Sequence, residues 1–383
     1  MRHSTVLALA LLSTVHAVSA QFGPLHMTAR TEVDGPRHAS LNDLDGDGDK
    51  DVLAISNDGH LRLFRNDGSA NVGRAEDAGY VYWPDAVRFV DFDGDGDVDV
   101  LSGSRSYQVA DTIRWASNDG TGHFAPAQVV AHGSYYLYDV DAADMDGDGD
   151  MDILTASEGD HLFAWYANDG SMVCGPPQDI DTDHISPRCI ATGDLDGDGD
   201  MDVVLGTGVD SDLTWYANEG GSYSAGQELY AFPNAVVDIL VDDVDDDGDA
   251  DVLATAGYPG IREFINNGSG DLTASVELPV TASTVLGLED INGDGLRDLW
   301  GLSGSVLKWS PGDGNGNFTG VTDGMSGTGV TMTFACIGDL DGDGANDLVS
   351  TWSELDEVWY IPNTGTGIFP AVPTIFSQAM NTV

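Results

Sequence analysis

The sequence predicts an all-β fold: a seven-bladed β-propeller of four-stranded antiparallel blades with a calcium loop in each blade. Three observations predict it. A nine-residue Asp-Gly phrase returns seven times, at 43–51, 91–99, 144–152, 194–202, 243–251, 290–298 and 339–347. Short apolar, β-prone runs follow each copy. An aromatic strand ending in Asn-Asp-Gly or a relative of it comes about twenty residues after the phrase. Self-similarity at a period of about fifty residues means one supersecondary unit repeated. Four-stranded units repeated about an axis make a propeller, and seven lies within the usual blade range. An open β-solenoid is the alternative, but it would need polar terminal caps, and none is visible.

The phrase opens with Asp43-Leu44-Asp45-Gly46-Asp47-Gly48-Asp49-Lys50-Asp51. Position 1 is Asp43, Asp91, Asp144, Asp194, Asp243, Asp290 and Asp339. Position 3 is Asp45, Asp93, Asp146, Asp196, Asp245, Asn292 and Asp341. Position 5 is Asp47, Asp95, Asp148, Asp198, Asp247, Asp294 and Asp343, and position 6 is always Gly. Position 7 is Asp49, Asp97, Asp150, Asp200, Asp249, Leu296 and Ala345, a tolerance expected where a backbone carbonyl is the ligand. Position 9 is Asp51, Asp99, Asp152, Asp202, Asp251, Asp298 and Asp347. Hard oxygen donors at alternate positions with Gly at the sharp turn describe a Ca²⁺ loop, so up to seven Ca²⁺ ions are expected. Metal-free Asp-Gly turns would not explain why the carboxylates converge. An EF-hand is excluded, because position 12 is never Glu: it is Ala54, Ser102, Thr155, Leu205, Ala254, Gly301 and Ser350.

The flanks are strands. Val52-Leu53-Ala54-Ile55 and Ile153-Leu154-Thr155-Ala156 are short apolar runs bounded by turn residues. Trp115, Trp165 and Trp215 each stand three residues before an Asn-Asp-Gly or Asn-Glu-Gly turn, with weaker copies at Phe64, Phe264, Trp309 and Trp359. Asn and Gly accept positive φ, which makes this a hairpin signal. These tryptophans recur in register and are expected in the core. An outer strand is expected to start at Phe124, Phe318 or Phe369, and Phe22-Gly23-Pro24 resembles one more such start. The segment at 22–33 is therefore expected to pair with the last blade and close the ring.

These repeats resemble the FG-GAP (VCBS) family, whose motif Asp-x-Asp/Asn-x-Asp/Asn-Gly-x-x-Asp matches at all seven places. The resemblance covers nearly the whole mature chain. It implies a seven-bladed propeller like that of integrin α-subunit heads, with calcium in the inner hairpin loops. It leaves the function open, since members serve as adhesion heads, lectins and accessory domains beside polysaccharide-cleaving enzymes. The chain has no Arg-Gly-Asp motif.

Residues 1–20 read as a secretory signal peptide: Arg2, an apolar stretch from Val6 to Leu12, then Val18-Ser19-Ala20. Residues 21–383 read as one propeller, secreted, or periplasmic in a Gram-negative host, and are expected to have no membrane span and to be monomeric. Cys174 and Cys189 suit a disulfide in an exported chain, and Cys336 reads as a buried thiol. The chain has 65 acidic and 14 basic residues, a net charge of −51, which repels nucleic acid and anionic membranes.

The loops on the face opposite the calcium loops vary most, and variable loops on a rigid scaffold carry function. Their aromatics and neighbours give candidate ligand residues: Trp83, Tyr107, Tyr136, Tyr138, His161, His184 and Trp352. Tyr80 and Tyr82 lie among the same loops. Aromatic platforms beside carboxylates suit sugars. The expected function is a binding module for carbohydrate or glycoprotein. Protein–protein adhesion is the second reading, and a polysaccharide-active enzyme such as a lyase the third. No nucleophile elbow or zinc-protease motif is present.

Overall fold

The computed structural model describes residues 34–369, apart from 70–71, 105–110, 184, 258–259, 273–274, 281–283 and 326–329, together with 374–375. The expected signal peptide and closing segment at 22–33 lie outside these residues, as do Tyr107 and His184. Seven four-stranded antiparallel sheets follow one another, each built from four strands consecutive in the chain. The first blade is Pro36–Asn42, Asp51–Ser56, His60–Phe64 and Glu76–Tyr80. The last is Phe334–Gly338, Asp347–Trp352, Glu357–Ile361 and Thr374–Ile375. None of the described residues is helical.

Burial changes with distance from the axis, and composition follows. First strands of successive blades lie side by side around the centre and are half-buried. Second strands are buried on both faces, because a neighbouring blade covers each face; hence the unbroken apolar runs. Fourth strands such as Gln178–Asp181 are polar and exposed at the rim. The core therefore lies between blades. Leu44, Leu53, Leu61 and Leu63 of blade 1 pack with Val100, Ala116 and Phe124 of blade 2. The ring closes in the same way, since Val52, Ala54 and Phe64 pack with Leu340, Val349, Val358 and Tyr360 of blade 7. No helix among the described residues is long and apolar enough to cross a membrane.

Several expectations are corrected. The outer strands begin at Gln128 and Thr322, four residues after Phe124 and Phe318. Those phenylalanines are knobs instead. Phe124 bridges Asn118 and donates its amide to Ala78 O of the preceding blade at 2.8 Å. Cys174 takes the same place in blade 3, donating to Val130 O at 3.0 Å. Its sulfur packs towards the blade 2–3 core, whereas Cys189 lies in the core between blades 4 and 5. Both are free thiols, not a disulfide.

The aromatic signature also shifts by one residue in three blades. Trp115, Trp165, Trp215 and Trp309 pair with Leu101, Leu154, Val204 and Trp300, and all four are buried. In blades 1, 5 and 7 that register holds Leu63, Glu263 and Tyr360, not Phe64, Phe264 and Trp359. Trp352, a candidate ligand residue, is 0% exposed and lies against Trp359 with ring centroids 4.5 Å apart. It ends a second strand, where neighbouring blades exclude solvent on both sides.

Candidate metal centres and an inter-blade groove

Each nine-residue loop is wound around its first carboxylate. Asp43 Oδ1 accepts from Gly46 N at 2.8 Å and its Oδ2 from Gly48 N at 3.0 Å. Asp194, Asp290 and Asp339 repeat both bonds. Positive φ at positions 4 and 6 permits the winding, as at Gly46 (75°) and Gly48 (98°). Blade 5 departs from the pattern. Asp246 holds position 4 with φ 59°, and Arg297 of blade 6 reaches both Asp246 Oδ1 (3.1 Å) and Asp242 Oδ1 (2.9 Å).

Position 9 is fixed from two sides. Asp202 Oδ2 accepts from Leu195 N at 3.0 Å and Oδ1 from Asn218 N at 2.7 Å. The same pair of amides meets Asp51, Asp99, Asp152, Asp251, Asp298 and Asp347, with Gly312 in place of Asn in blade 6. The Asn side chain then reaches across to the preceding blade: Asn218 Nδ2 donates to Met145 O at 2.8 Å, Asn66 to Leu340 O at 2.7 Å, and Asn266 to Leu195 O at 2.6 Å. The Asn-Asp-Gly motif is thus both a turn and a bolt between blades.

In at least five loops a carboxylate oxygen from positions 1, 3 and 9 comes within 4.8 Å of the others: Asp43, Asp45 and Asp51; Asp91, Asp93 and Asp99; Asp144, Asp146 and Asp152; Asp194, Asp196 and Asp202; Asp243, Asp245 and Asp251. Buried Asp45 Oδ1, Asp146 Oδ1 and Asp245 Oδ1 have no hydrogen-bond partner within the protein. Burial pushes the position 9 carboxyls up to about 6 at Asp51, Asp99, Asp152, Asp202, Asp251 and Asp347. Orphaned acceptors beside crowded, desolvated carboxylates fit a hard divalent cation, with oxygen donors as Ca²⁺ requires.

Position 5 orders the turn, since Asp47 Oδ1 accepts from Asp49 N at 3.0 Å. The side chains of position 7 turn away, towards the glycine of the Asn-Asp-Gly turn. A Cβ on Gly68 would lie 2.6 Å from Asp49 Oδ1, one on Gly314 3.2 Å from Leu296 Cδ2, and one on Gly365 3.8 Å from Ala345 Cβ. Position 7 can therefore offer its backbone carbonyl, and Leu296 and Ala345 suffice there.

The register residue of each blade lies beneath the next blade's turn. A Cβ on Gly122 would meet Leu63, on Gly221 and Gly270 Trp165 and Trp215, and on Gly367 Trp309. Two register residues touch the candidate ligands. Trp115 Nε1 donates to Asp99 Oδ2 at 2.8 Å, and the Tyr360 hydroxyl lies 3.1 Å from Asp341 Oδ2 and 3.2 Å from Asp347 Oδ2. Glu263 occupies this place in blade 5. Burial, and then the charges of Asp251 and Asp245, push its carboxyl up to about 7.

At the rim between blades 1 and 2 a groove of about 490 Å³ is lined by His60, Asp77, Tyr80, Tyr82, His123 and Phe124. The Tyr80 and Tyr82 rings meet edge to face at 4.9 Å, and His60 abuts Tyr80 at 5.2 Å. His60 Nδ1 lies 3.8 Å from Asp77 Oδ1. Tyr82 is 48% exposed, and the Arg114 guanidinium sits 4.4 Å from its ring centre. Asp77 and His123 were not legible as site residues, because the groove needs two blades. The available signal was Gly79 inside a strand, which marks a close approach: a Cβ there would sit 3.1 Å from Phe124 Cβ.

The other candidates scatter. Trp83 is 67% exposed in the connector between blades 1 and 2. Tyr136 and Tyr138 meet edge to face at 5.4 Å, with Arg188 4.8 Å from the Tyr138 ring centre. His161 is exposed, and its Nδ1 accepts from Ser186 N of the next blade at 3.2 Å, a joining role.

The FG-GAP-like repeat pattern matches residues 43–102, 91–155, 144–205, 194–254 and 290–350, together well over half of the chain. No curated protein matches. Among solved structures, an Agrocybe aegerita lectin that specifically recognises non-reducing terminal N-acetylglucosamine is similar at 19% identity and a TM-score of 0.63, over 90% of this chain and 92% of that one. BBS1N, solved in complex with ARL6DN, is similar at 14% identity and a TM-score of 0.56, over 90% of this chain and 97% of that one. These likenesses are of fold. With seven blades, seven wound acidic loops and repeat matches along most of its length, the chain belongs to the FG-GAP-like repeat family.

Proposed function

We propose that the chain is a secreted, calcium-stabilised propeller that acts as a binding module for carbohydrate or glycoprotein. The groove between blades 1 and 2 carries the reading. Its Tyr80 and Tyr82 rings offer apolar faces to the C–H faces of a sugar, and Asp77, His60 and His123 offer hydrogen-bonding groups to hydroxyls. Its volume suits a small ligand. The lectin of the same fold supports the class of ligand, not its identity. Export rests on the Met1–Ala20 stretch, and calcium on the carboxylate triplets with their orphaned oxygens.

A glycan array probed with the calcium-loaded protein tests the reading. Specific binding is expected, reduced at least about tenfold by Tyr82→Ala through loss of an aromatic contact, without a change in melting temperature. Binding unaffected by Tyr82→Ala would remove the groove. An array without specific signal would favour a protein ligand.

A further inference from the structure

The fifth loop differs from its sisters on its inner wall. Where blades 2, 3, 4 and 6 place Trp and blade 7 places Tyr, blade 5 places Glu263. Glu263 is 4% exposed, and its Oε1 has no hydrogen-bond partner. It is capped by the turn of blade 6: a Cβ on Gly316 would lie 3.5 Å from Glu263 Oε1 and 3.3 Å from Asp245 Cβ. Asp245 is the position 3 residue of the triplet Asp243, Asp245 and Asp251, and its own buried Oδ1 is also unpartnered. In blades 2 and 7 the register side chain brings an N–H or O–H donor to the loop carboxylates. In blade 5 it brings a carboxylate. The neighbouring cation does not answer it, because Arg262 turns to Ser275 Oγ (3.0 Å) and Glu277 Oε2 (3.7 Å). Arg297 serves Asp242 and Asp246.

We propose that Glu263 is a further carboxylate of the blade 5 cation site, which makes that site the tightest of the ring. The inference rests on the calcium reading above. Glu263 Oε1 and the Asp245 side chain both lie against Gly316, with Glu263 outside the three carboxylates that converge within 4.8 Å, and a buried acceptor without a donor beside that triplet is answered by the charge of a cation. An added charge beside a calcium site strengthens it, because ligand charge count tunes affinity. The competing arrangement is a neutral Glu263 whose O–H donates to Asp245 or Asp251, as the Tyr360 hydroxyl meets its loop.

Glu263→Gln separates the two, since it keeps a donor and removes the charge. Glu263→Trp restores the residue of four sister blades and keeps the test readable if glutamine destabilises the fold. The metal-free full chain is titrated with calcium against a chromophoric chelator, and folding is verified by melting at saturating calcium. Both variants should lose the tightest class of site by roughly tenfold or more, following ligand charge, while the remaining sites keep their affinity. An unchanged tightest class in both variants overturns the inference alone. A wild-type chain that takes up no calcium overturns the calcium reading with it.

Discussion

On the loop face, Asp51 and its six counterparts all accept the same two backbone amides, and Asp43 and its counterparts wind the same turn. On the opposite face the connectors share little beyond one backbone conformation. Gly35, Trp83, Tyr136 and Ser186 all have positive φ, from 46° to 67°, and each stands eight residues before the first Asp of a loop. One conformation there is filled by a glycine, a tryptophan, a tyrosine and a serine. Where side chains accept backbone amides at fixed spacing, chemistry fixes the residue type. Where only a turn is needed, the type is free, and the free face is where blades can differ in what they bind.

The largest test of this contrast is removal of the metal. Calcium sites of extracellular modules with Kd of about 10⁻⁴–10⁻³ M stabilise by roughly 0.4–1.4 kcal/mol each at about 1 mM calcium. Seven such sites give on the order of 3–10 kcal/mol, comparable to a domain's whole stability. Excess EDTA should lower the melting temperature steeply or unfold the chain. A melt indifferent to EDTA would mean the loop face is held by its hydrogen bonds alone.

Next is the bolt between blades. Asn218 is fully buried, and its side chain serves Met145 O of blade 3, Met201 O of its own blade and the amide of Gly221. Asn168 occupies the same position one blade earlier, but its Nδ2 serves its own blade at Met151 O (3.1 Å) and its Oδ1 is unpartnered. Truncation that leaves buried groups unpaired costs about 1–3 kcal/mol per group. Asn218→Ala should therefore cost about 2–4 kcal/mol by urea denaturation, and Asn168→Ala distinctly less. Equal losses would mean that the contact across blades contributes little.

The bolt also marks how far the sequence could be read. The nine-residue phrase was legible as a repeated acidic turn, since side-chain caps at fixed spacing restrict residue type: Asp43 and Asp51 each accept two backbone amides. Its positions 1, 3 and 9 converge in at least five loops, and position 7 turns its side chain away. Asn-Asp-Gly was legible as a turn, but Asn218 reaching Met145 is a contact over 73 positions that local pattern does not carry. Glu263 was hidden because Phe264 beside it imitates the aromatic of the repeat, and only the pairing Leu253 with Glu263 fixes the register. Trp352 misled in the opposite sense: it adjoins a variable hairpin, yet it belongs to a second strand covered on both faces.

A smaller effect, with a change of sign, is expected from pH. Burial raises the position 9 carboxyls from the ordinary 3.8 to about 6 in the folded chain. The metal-free folded state then binds more protons than the unfolded state between those values, so its stability falls as pH rises through the window. With calcium bound, protons compete with the ion and the dependence reverses. Melting temperatures taken between pH 4 and pH 7 should slope in opposite directions with EDTA and with millimolar calcium, because the raised carboxyls of Asp202 and its counterparts hold protons without the ion and release them when it binds. Parallel slopes would dissociate the position 9 carboxylates from the metal.

The smallest effect falls on the free face. Trp83 is exposed and left-handed, a conformation that costs a non-glycine residue about 1 kcal/mol. Gly35 fills the equivalent place in blade 1. Trp83→Gly should thus leave the melting temperature unchanged or raise it slightly, because relief of strain offsets the added freedom of the unfolded chain. Any loss of glycan capture in this variant then belongs to the indole itself, since the backbone keeps its course. A fall in melting temperature like that of Asn218→Ala would show the connector face to be as constrained as the loop face, and the freedom inferred for it would disappear.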